Sequence, residues 1–382
     1  MDRIEGRLEP FLKKPQFEKQ TIFDGERFPN VVVTMRGTVL ATWGSQSFRV
    51  RRSSDGGASW ERAVEVAAPG FHGGGATVDE NNNRIIIFND TEHPPKSPQK
   101  TTGPLEVCVS DDDGMSWQRI NVTIHPDLNG NVPSRHMCEH GITLRRGPHA
   151  GRLLRPARVY NKTGDIPICY TSAVYSDDGG LTWHSSSPFP ETGTGESAVV
   201  ELADGRIYHN SRKHFFNTPP EDFLCCRWVA WSHDGGESWQ NPELPSALPD
   251  GPRYRGEERR GSNFNGHFGM MAGLTRLPVE GRDVLIYSNA DHTGHERING
   301  TVWASFDGGD TWPVKRTAHE GPFAYSSLEA GRPGTESEGW VYLQYEGGKD
   351  NCYEGGWMAR FNLSWLMEGE RTADGDVPRL ND

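Results

Sequence analysis

Nowhere in the 382 residues does an unbroken apolar stretch approach the roughly 20 residues that a membrane-spanning helix requires. No membrane span is expected. An excess of positive charge is also missing, since Lys and Arg number 40 against 52 Asp and Glu, for a net charge of -12. That balance disfavours nucleic acid as a partner, although a local basic pocket for an anionic small molecule stays open. The six cysteines (Cys108, Cys138, Cys169, Cys225, Cys226, Cys352) are too few and too scattered for a disulfide scaffold. They do not decide the compartment. The first ten residues, MDRIEGRLEP, lack an apolar leader core. The expectation is therefore a cytoplasmic chain, or a secreted or periplasmic one whose signal peptide has been removed.

What the chain has is glycine (45), tryptophan (12) and a repeat. The stretch SSDGGASW at 53–60 returns four times in reduced form as S-x-D-x-G-x-x-W, beginning at Ser110, Ser176, Ser232 and Ser305. Each position suits a tight hairpin turn. The Asp carboxylate accepts backbone N–H groups that the turn leaves unpaired, the Gly supplies a positive φ, and the Trp lays a large ring on adjoining strands. The spacing between copies is irregular, from 56 to 73 residues. Fixed turns at such intervals indicate one sheet module of about four short strands per repeat, with loops of variable length. Five marked modules plus the unmarked end of the chain predict an all-β, six-bladed propeller occupying residues 1–382 as a single domain. The repeat resembles the Asp box of the sialidase superfamily, and on this motif the resemblance concerns the fold.

Further segments extend the resemblance to a site. Arg27, in Arg-Phe-Pro ahead of a Val-rich run, is similar to the first of three sialidase arginines that bind a substrate carboxylate; alone, it would read as a solvated arginine. Glu196 and Arg212 are 16 residues apart on either side of an LADGR turn, so a hairpin brings both to one sheet edge. In isolation they would be a cross-strand ion pair, but the segment resembles the one bearing the sialidase Glu that activates the nucleophile and the second Arg. Arg297, before the strand that leads to the fifth box, looks like the third. Tyr325 in Tyr-Ser-x-Leu resembles the nucleophile motif, against the alternative of a core aromatic with its hydroxyl at the rim. Glu346 in Tyr-Glu is similar to the carboxylate that orients the first Arg.

One part of the family pattern is absent. The loop that would carry an acid/base Asp reads ATWGSQSFRVRRS and holds no Asp or Glu. Gln46 stands in its middle, and an amide can hold a water or a leaving-group oxygen but cannot act as acid and base. Replacement donors are sought at His72, at Glu139 or His140 in the EHGITL segment, in a water on Gln46, or among Asp291, His292, His295 and Glu296. The His136/Cys138/Glu139 cluster lacks a second ligand pair at zinc spacing, so neither metal nor cofactor is expected.

The resemblance implies hydrolysis of a terminal α-linked sialic acid from a glycan. A sialic acid carries its carboxylate on a quaternary anomeric carbon. Guanidinium forks grip that group well, and a neutral phenol can attack where a second carboxylate would be repelled. A Tyr nucleophile in sialidases is a documented exception to the two-carboxylate scheme. Two other readings remain: a propeller that binds sialic acid without cutting it, and a scaffold for protein contacts that uses only the Asp boxes.

Overall fold

The computed structural model describes residues 4–90, 104–135, 138–160, 169–214, 226–250, 269–292, 296–368 and 370–371, and the side chain of His72 lies outside the description. Among the described residues the regular structure is almost entirely strand, arranged in groups of four antiparallel strands. Asn30–Val33, Val39–Trp43, Phe48–Ser53 and Val64–Ala67 form one four-stranded sheet. Thr194–Glu201, Ile207–Lys213, Trp228–Ser232 and Gln240–Glu243 form another. Between them lies an eight-stranded sheet of two such meanders, one opening with Phe71–Asp79 and one with Ile142–Thr143, joined where Gln118–His125 runs parallel to Thr182–Ser185. A second eight-stranded sheet opens with Gly273–Arg276 and contains the long strand Val314–Ala330. That strand pairs with Ile298–Ser305 along its first part and with Val341–Gly347 along its last, and so belongs to two successive groups.

The opening strands pack side by side in a ring: Asn30–Val33 on Phe71–Asp79, Thr194–Glu201 on Gly273–Arg276, and the end of Val314–Ala330 on both Gly273–Arg276 and Asn30–Val33. Phe17–Asp24 closes the ring by pairing with Gly355–Phe361, which joins the two ends of the chain in one sheet. This is a β-propeller. The closing strand, Phe17–Asp24, follows a short 3-10 turn at Glu9–Leu12.

The Asp boxes behave as their residue types require. In all five, the Ser hydroxyl donates to the Asp Oδ1 and accepts the Gly N–H at 2.8–2.9 Å. The same Oδ1 accepts a further backbone N–H, from Ser59, Ser116, Thr182, Ser238 or Thr311, at 2.8–3.0 Å. Gly180 has φ 85°, and a Cβ there would stand 2.5 Å from Ile86 Cδ1 in the preceding strand group; Gly236 meets Leu154 in the same way. Each turn is therefore a wedge between neighbouring blades as well as a hairpin. Ser176→Ala would strand the buried Gly180 N–H, and we expect it to cost roughly 1–3 kcal/mol, read as a lower denaturant midpoint at unchanged m-value.

Buried apolar layers fill the gaps between blades. Leu40, Val50, Ile85 and Ile87 make one, and Leu154, Val199, Ile207 and Ala230 another. The boxes follow third strands, which run parallel to the opening strands, so they lie at the face where opening strands end. The other face, where opening strands begin and second strands finish, is left to the loops.

Candidate active site

That second face gathers the residues the sequence singled out. Arg27 precedes Asn30–Val33, Glu196 lies at the start of Thr194–Glu201, Arg212 at the end of Ile207–Lys213, and Glu346 at the end of Val341–Gly347. Two of the positions are β-bulges. Pairing jumps from Thr194↔Lys213 to Ser197↔Ser211 around Glu196, and from Phe323↔Gly347 to Ser326↔Tyr345 around Tyr325. A bulge adds an unpaired residue and re-aims its side chain. Here it turns Glu196 and Tyr325 toward each other.

The Tyr325 hydroxyl donates to Glu196 Oε1 at 2.7 Å and accepts from Arg212 Nη1 at 3.2 Å. Arg212 Nη1 also donates to Glu196 Oε2. Burial alone would raise the Glu196 carboxyl, but Arg212 and Arg158 outweigh it and hold it below the usual carboxylate range. Burial, and then the charge of Glu196, push the Tyr325 phenol up to about 12. At neutral pH the phenol therefore keeps its proton and the carboxylate is ionised. The proton moves only when charge on the phenol oxygen is drawn elsewhere.

Glu346 is fully buried and organises the neighbouring arginine. It accepts Arg27 Nε and Nη2, each at 3.0 Å, in a bidentate pair. The same carboxylate accepts Phe28 N at 2.9 Å and Tyr325 N at 3.3 Å. Phe28 has φ 68°, a conformation that resists a bulky side chain and is held by this bond and by ring contact with Phe71. Arg297 completes the cluster. Its guanidinium carbon lies 5.4 Å from the centre of the Tyr325 ring, and that of Arg27 lies 5.2 Å from it. Arg27, Glu196, Arg212, Arg297, Tyr325 and Glu346 thus meet at one mouth of the ring.

Gln46, Glu139, His140, Asp291 and Glu296 have their described contacts elsewhere. Gln46 is exposed, and its backbone carbonyl accepts Gly70 N at 2.9 Å. Glu139 is buried one layer below, bonded to Asn30 Nδ2 at 2.6 Å and Leu328 N at 2.8 Å. His140 meets Leu328 O at 3.0 Å and lines a cavity at the opposite mouth with Glu329, Arg276 and Arg332. Asp291 is paired with Lys315 Nζ at 2.7 Å, and Glu296 is exposed. The His72 side chain, His136 and His295 lie outside the described residues.

Three residues of the site were missed. Arg158 is buried with its Nη1 3.7 Å from Glu196 Oε1. Glu26 Oε2 accepts both N and Oγ of Ser45, and so braces the loop that carries Gln46. Tyr353 lies over Arg27, 4.1 Å from its guanidinium carbon, and accepts from Arg297 Nη1 at 2.9 Å. A signal for Tyr353 was available: it lies in the hairpin that follows Glu346, and second strands end on this face.

The carboxyl of Glu139 has a consequence for stability. Burial pushes it up to about 7 from an ordinary 4.5. Between those two pH values the folded chain keeps a proton that the unfolded chain has released, so stability falls as pH rises through the window. His140 acts in the same direction: burial opposes its protonation, but the charges of Glu329 and Glu139 win and raise it. Buried His209, its imidazole pushed down to about 3 by desolvation, works the other way over the same window, so the expectation is a difference: from pH 5 to pH 8 the denaturation midpoint of wild type should fall relative to that of Glu139→Gln.

The comparisons agree with this architecture. The BNR repeat-like domain family matches residues 140–335. A curated sialidase of Micromonospora viridifaciens is 31% identical over 371 residues, covering 90% of this chain and 52% of its own length. One of Bacteroides fragilis is 26% identical over 325 residues, covering 75% of this chain and 54% of its own. The chain thus spans about half the length of these curated relatives. Among solved structures, a Hadza microbial sialidase aligns with TM-score 0.65 at 22% identity, over 89% of this chain and 66% of that one. The Ruminococcus gnavus intramolecular trans-sialidase aligns with TM-score 0.62 at 15% identity, over 91% and 95%. At such identities the structural likeness is one of fold. Taken with five Asp boxes on a ring of sheets, the family match shows that this chain belongs to the sialidase superfamily, within its BNR-repeat proteins.

Proposed function

We propose that this chain is an exo-α-sialidase that releases a terminal sialic acid, or a related nonulosonic acid, from a glycan. The observation that carries the proposal is the 2.7 Å bond from the Tyr325 hydroxyl to Glu196 inside a cluster of arginines. A binding protein has use for the arginines but none for a phenol paired with a buried carboxylate. In this reading Arg27, Arg212 and Arg297 hold the substrate carboxylate, which brings the anomeric carbon over Tyr325. The phenol oxygen attacks that carbon as Glu196 takes its proton, and the positive charge developing on the sugar favours the transfer. Glu346 keeps Arg27 aimed and fixes the backbone of Tyr325. The test is release of free sugar acid from a sialylated glycan such as sialyllactose. Binding of a sialic acid analogue without any release would favour the lectin-like alternative, and neither binding nor release would leave only a scaffold.

A further inference from the structure

Departure of a sugar alkoxide needs a proton, and the Gln46 loop holds no acid. The hairpin after Glu346 supplies a hydroxyl instead. Its conformation is set locally: the Glu354 carboxylate accepts the N–H groups of Lys349, Asp350 and Asn351 at 2.8–2.9 Å, and Asn351 Oδ1 accepts Tyr353 N at 2.9 Å. This lays the Tyr353 ring on Arg27 and brings its hydroxyl to Arg297. Because the hydroxyl accepts from Arg297, its own proton can go to another acceptor.

The same two guanidiniums therefore lie between two phenols. Tyr325 is 6% exposed at the floor of the site, whereas Tyr353 is 39% exposed at its rim. A sugar whose carboxylate is held by Arg27 and Arg297 presents its anomeric carbon to the floor and its leaving group to solvent, on the side of Tyr353.

Building on the sialidase reading, we propose that Tyr353 is the proton donor for the leaving group. In the first step the Tyr325 oxygen bonds to the anomeric carbon and Glu196 takes the Tyr325 proton. The bond from that carbon to the aglycone oxygen breaks, and the Tyr353 proton passes to that oxygen, so the aglycone leaves as an alcohol. Tyr353 is then a phenolate, its charge offset by Arg27 and Arg297. In the second step a water oxygen bonds to the anomeric carbon while Tyr353 takes the water's proton. The bond to Tyr325 breaks, and Glu196 returns the proton to it.

Leaving-group dependence tests the assignment. Tyr353→Phe keeps the ring on Arg27 and removes only the hydroxyl. It is expected to lower kcat/KM on sialyllactose by about 100- to 1,000-fold. On 4-nitrophenyl sialoside, whose leaving group needs no proton, kcat/KM should stay within about fivefold of wild type. The Kd of a 2,3-dehydro sialic acid analogue should change by no more than about twofold, as the arginines are intact. Equal losses on both substrates would make Tyr353 a brace for the arginines and overturn the proposal, and so would no loss on either. A leaving-group split for Glu26→Gln in place of Tyr353→Phe would hand the role to Glu26. Wild-type protein that cleaves neither substrate would instead overturn the sialidase reading and take this assignment with it.

Discussion

Tyr325→Phe is expected to lower kcat on sialyllactose by about four powers of ten while leaving the Kd of a sialic acid analogue within a few-fold of wild type. Phenylalanine keeps the ring, which is buried beside Phe28 at a centroid distance of 6.0 Å, so the fold should be undisturbed. Glu196 loses one hydrogen bond but retains Arg212 and Arg158 as counter-charges. What disappears is the attacking oxygen. Arg212 loses one acceptor but keeps Glu196, and Arg27 and Arg297 meet only the Tyr325 ring, which is why binding and turnover should separate. Glu196→Gln tests the same unit from its other side: an amide still accepts from Tyr325 but cannot take its proton. Groups that act as one unit fail together, so the double variant should be scarcely slower than either single one. Release by Tyr325→Phe at the wild-type rate would remove the phenol from the mechanism, and lost binding would assign it to the pocket wall.

The six clustered residues were legible in the sequence for a physical reason. In a ring of meanders, positions just before opening strands and at the ends of second strands must fall on one face. Motif order then suffices to bring Arg27, Glu196, Arg212 and Glu346 together. The Asp boxes were legible because each of their residues has a single job, visible in its chemistry. Other features were hidden. Tyr325 lies within Val314–Ala330, which runs through it without a turn, and only a bulge gives it away. Bulges leave no mark in hydrophobic alternation. Arg158 lies in Leu153–Val159, buried at every residue, so no alternation tells which way its side chain points. Thr194–Glu201, expected to alternate, is likewise buried throughout, because opening strands are covered on both faces. Tyr353 was signalled only by its place after Glu346; the loop that aims it is shaped by three backbone bonds to Glu354, which composition does not encode. Glu139 and His140 were sought as replacement donors. The backbone bonds from Glu139 N to Ser197 O and from Gly141 N to Ala76 O instead set the segment into the ring wall.

Arg212→Lys should be the most damaging of the charge-conserving changes. Arg212 is nearly inaccessible, and one nitrogen, Nη1, serves both Glu196 and Tyr325. The planar guanidinium aligns these two acceptors and, in the proposed function, also takes the substrate carboxylate. An ammonium is a point donor on a flexible stem and cannot keep both sets of partners in one plane. The positive charge is retained, so Glu196 is not left as an unpaired buried anion and the chain should fold. We expect kcat/KM on sialyllactose to fall about a hundredfold, equivalent to about 2.7 kcal/mol of transition-state stabilisation. The loss should appear in KM as well as kcat, because carboxylate binding and alignment of Glu196 fail at once. Arg297→Lys makes the contrast. Arg297 touches Tyr353 and Gly269 O but bonds neither Glu196 nor the Tyr325 hydroxyl, so its replacement should act mainly on KM. If both lysine variants raised KM equally with kcat untouched, Arg212 would be a binding group alone, and the alignment of Glu196 would have to come from Arg158.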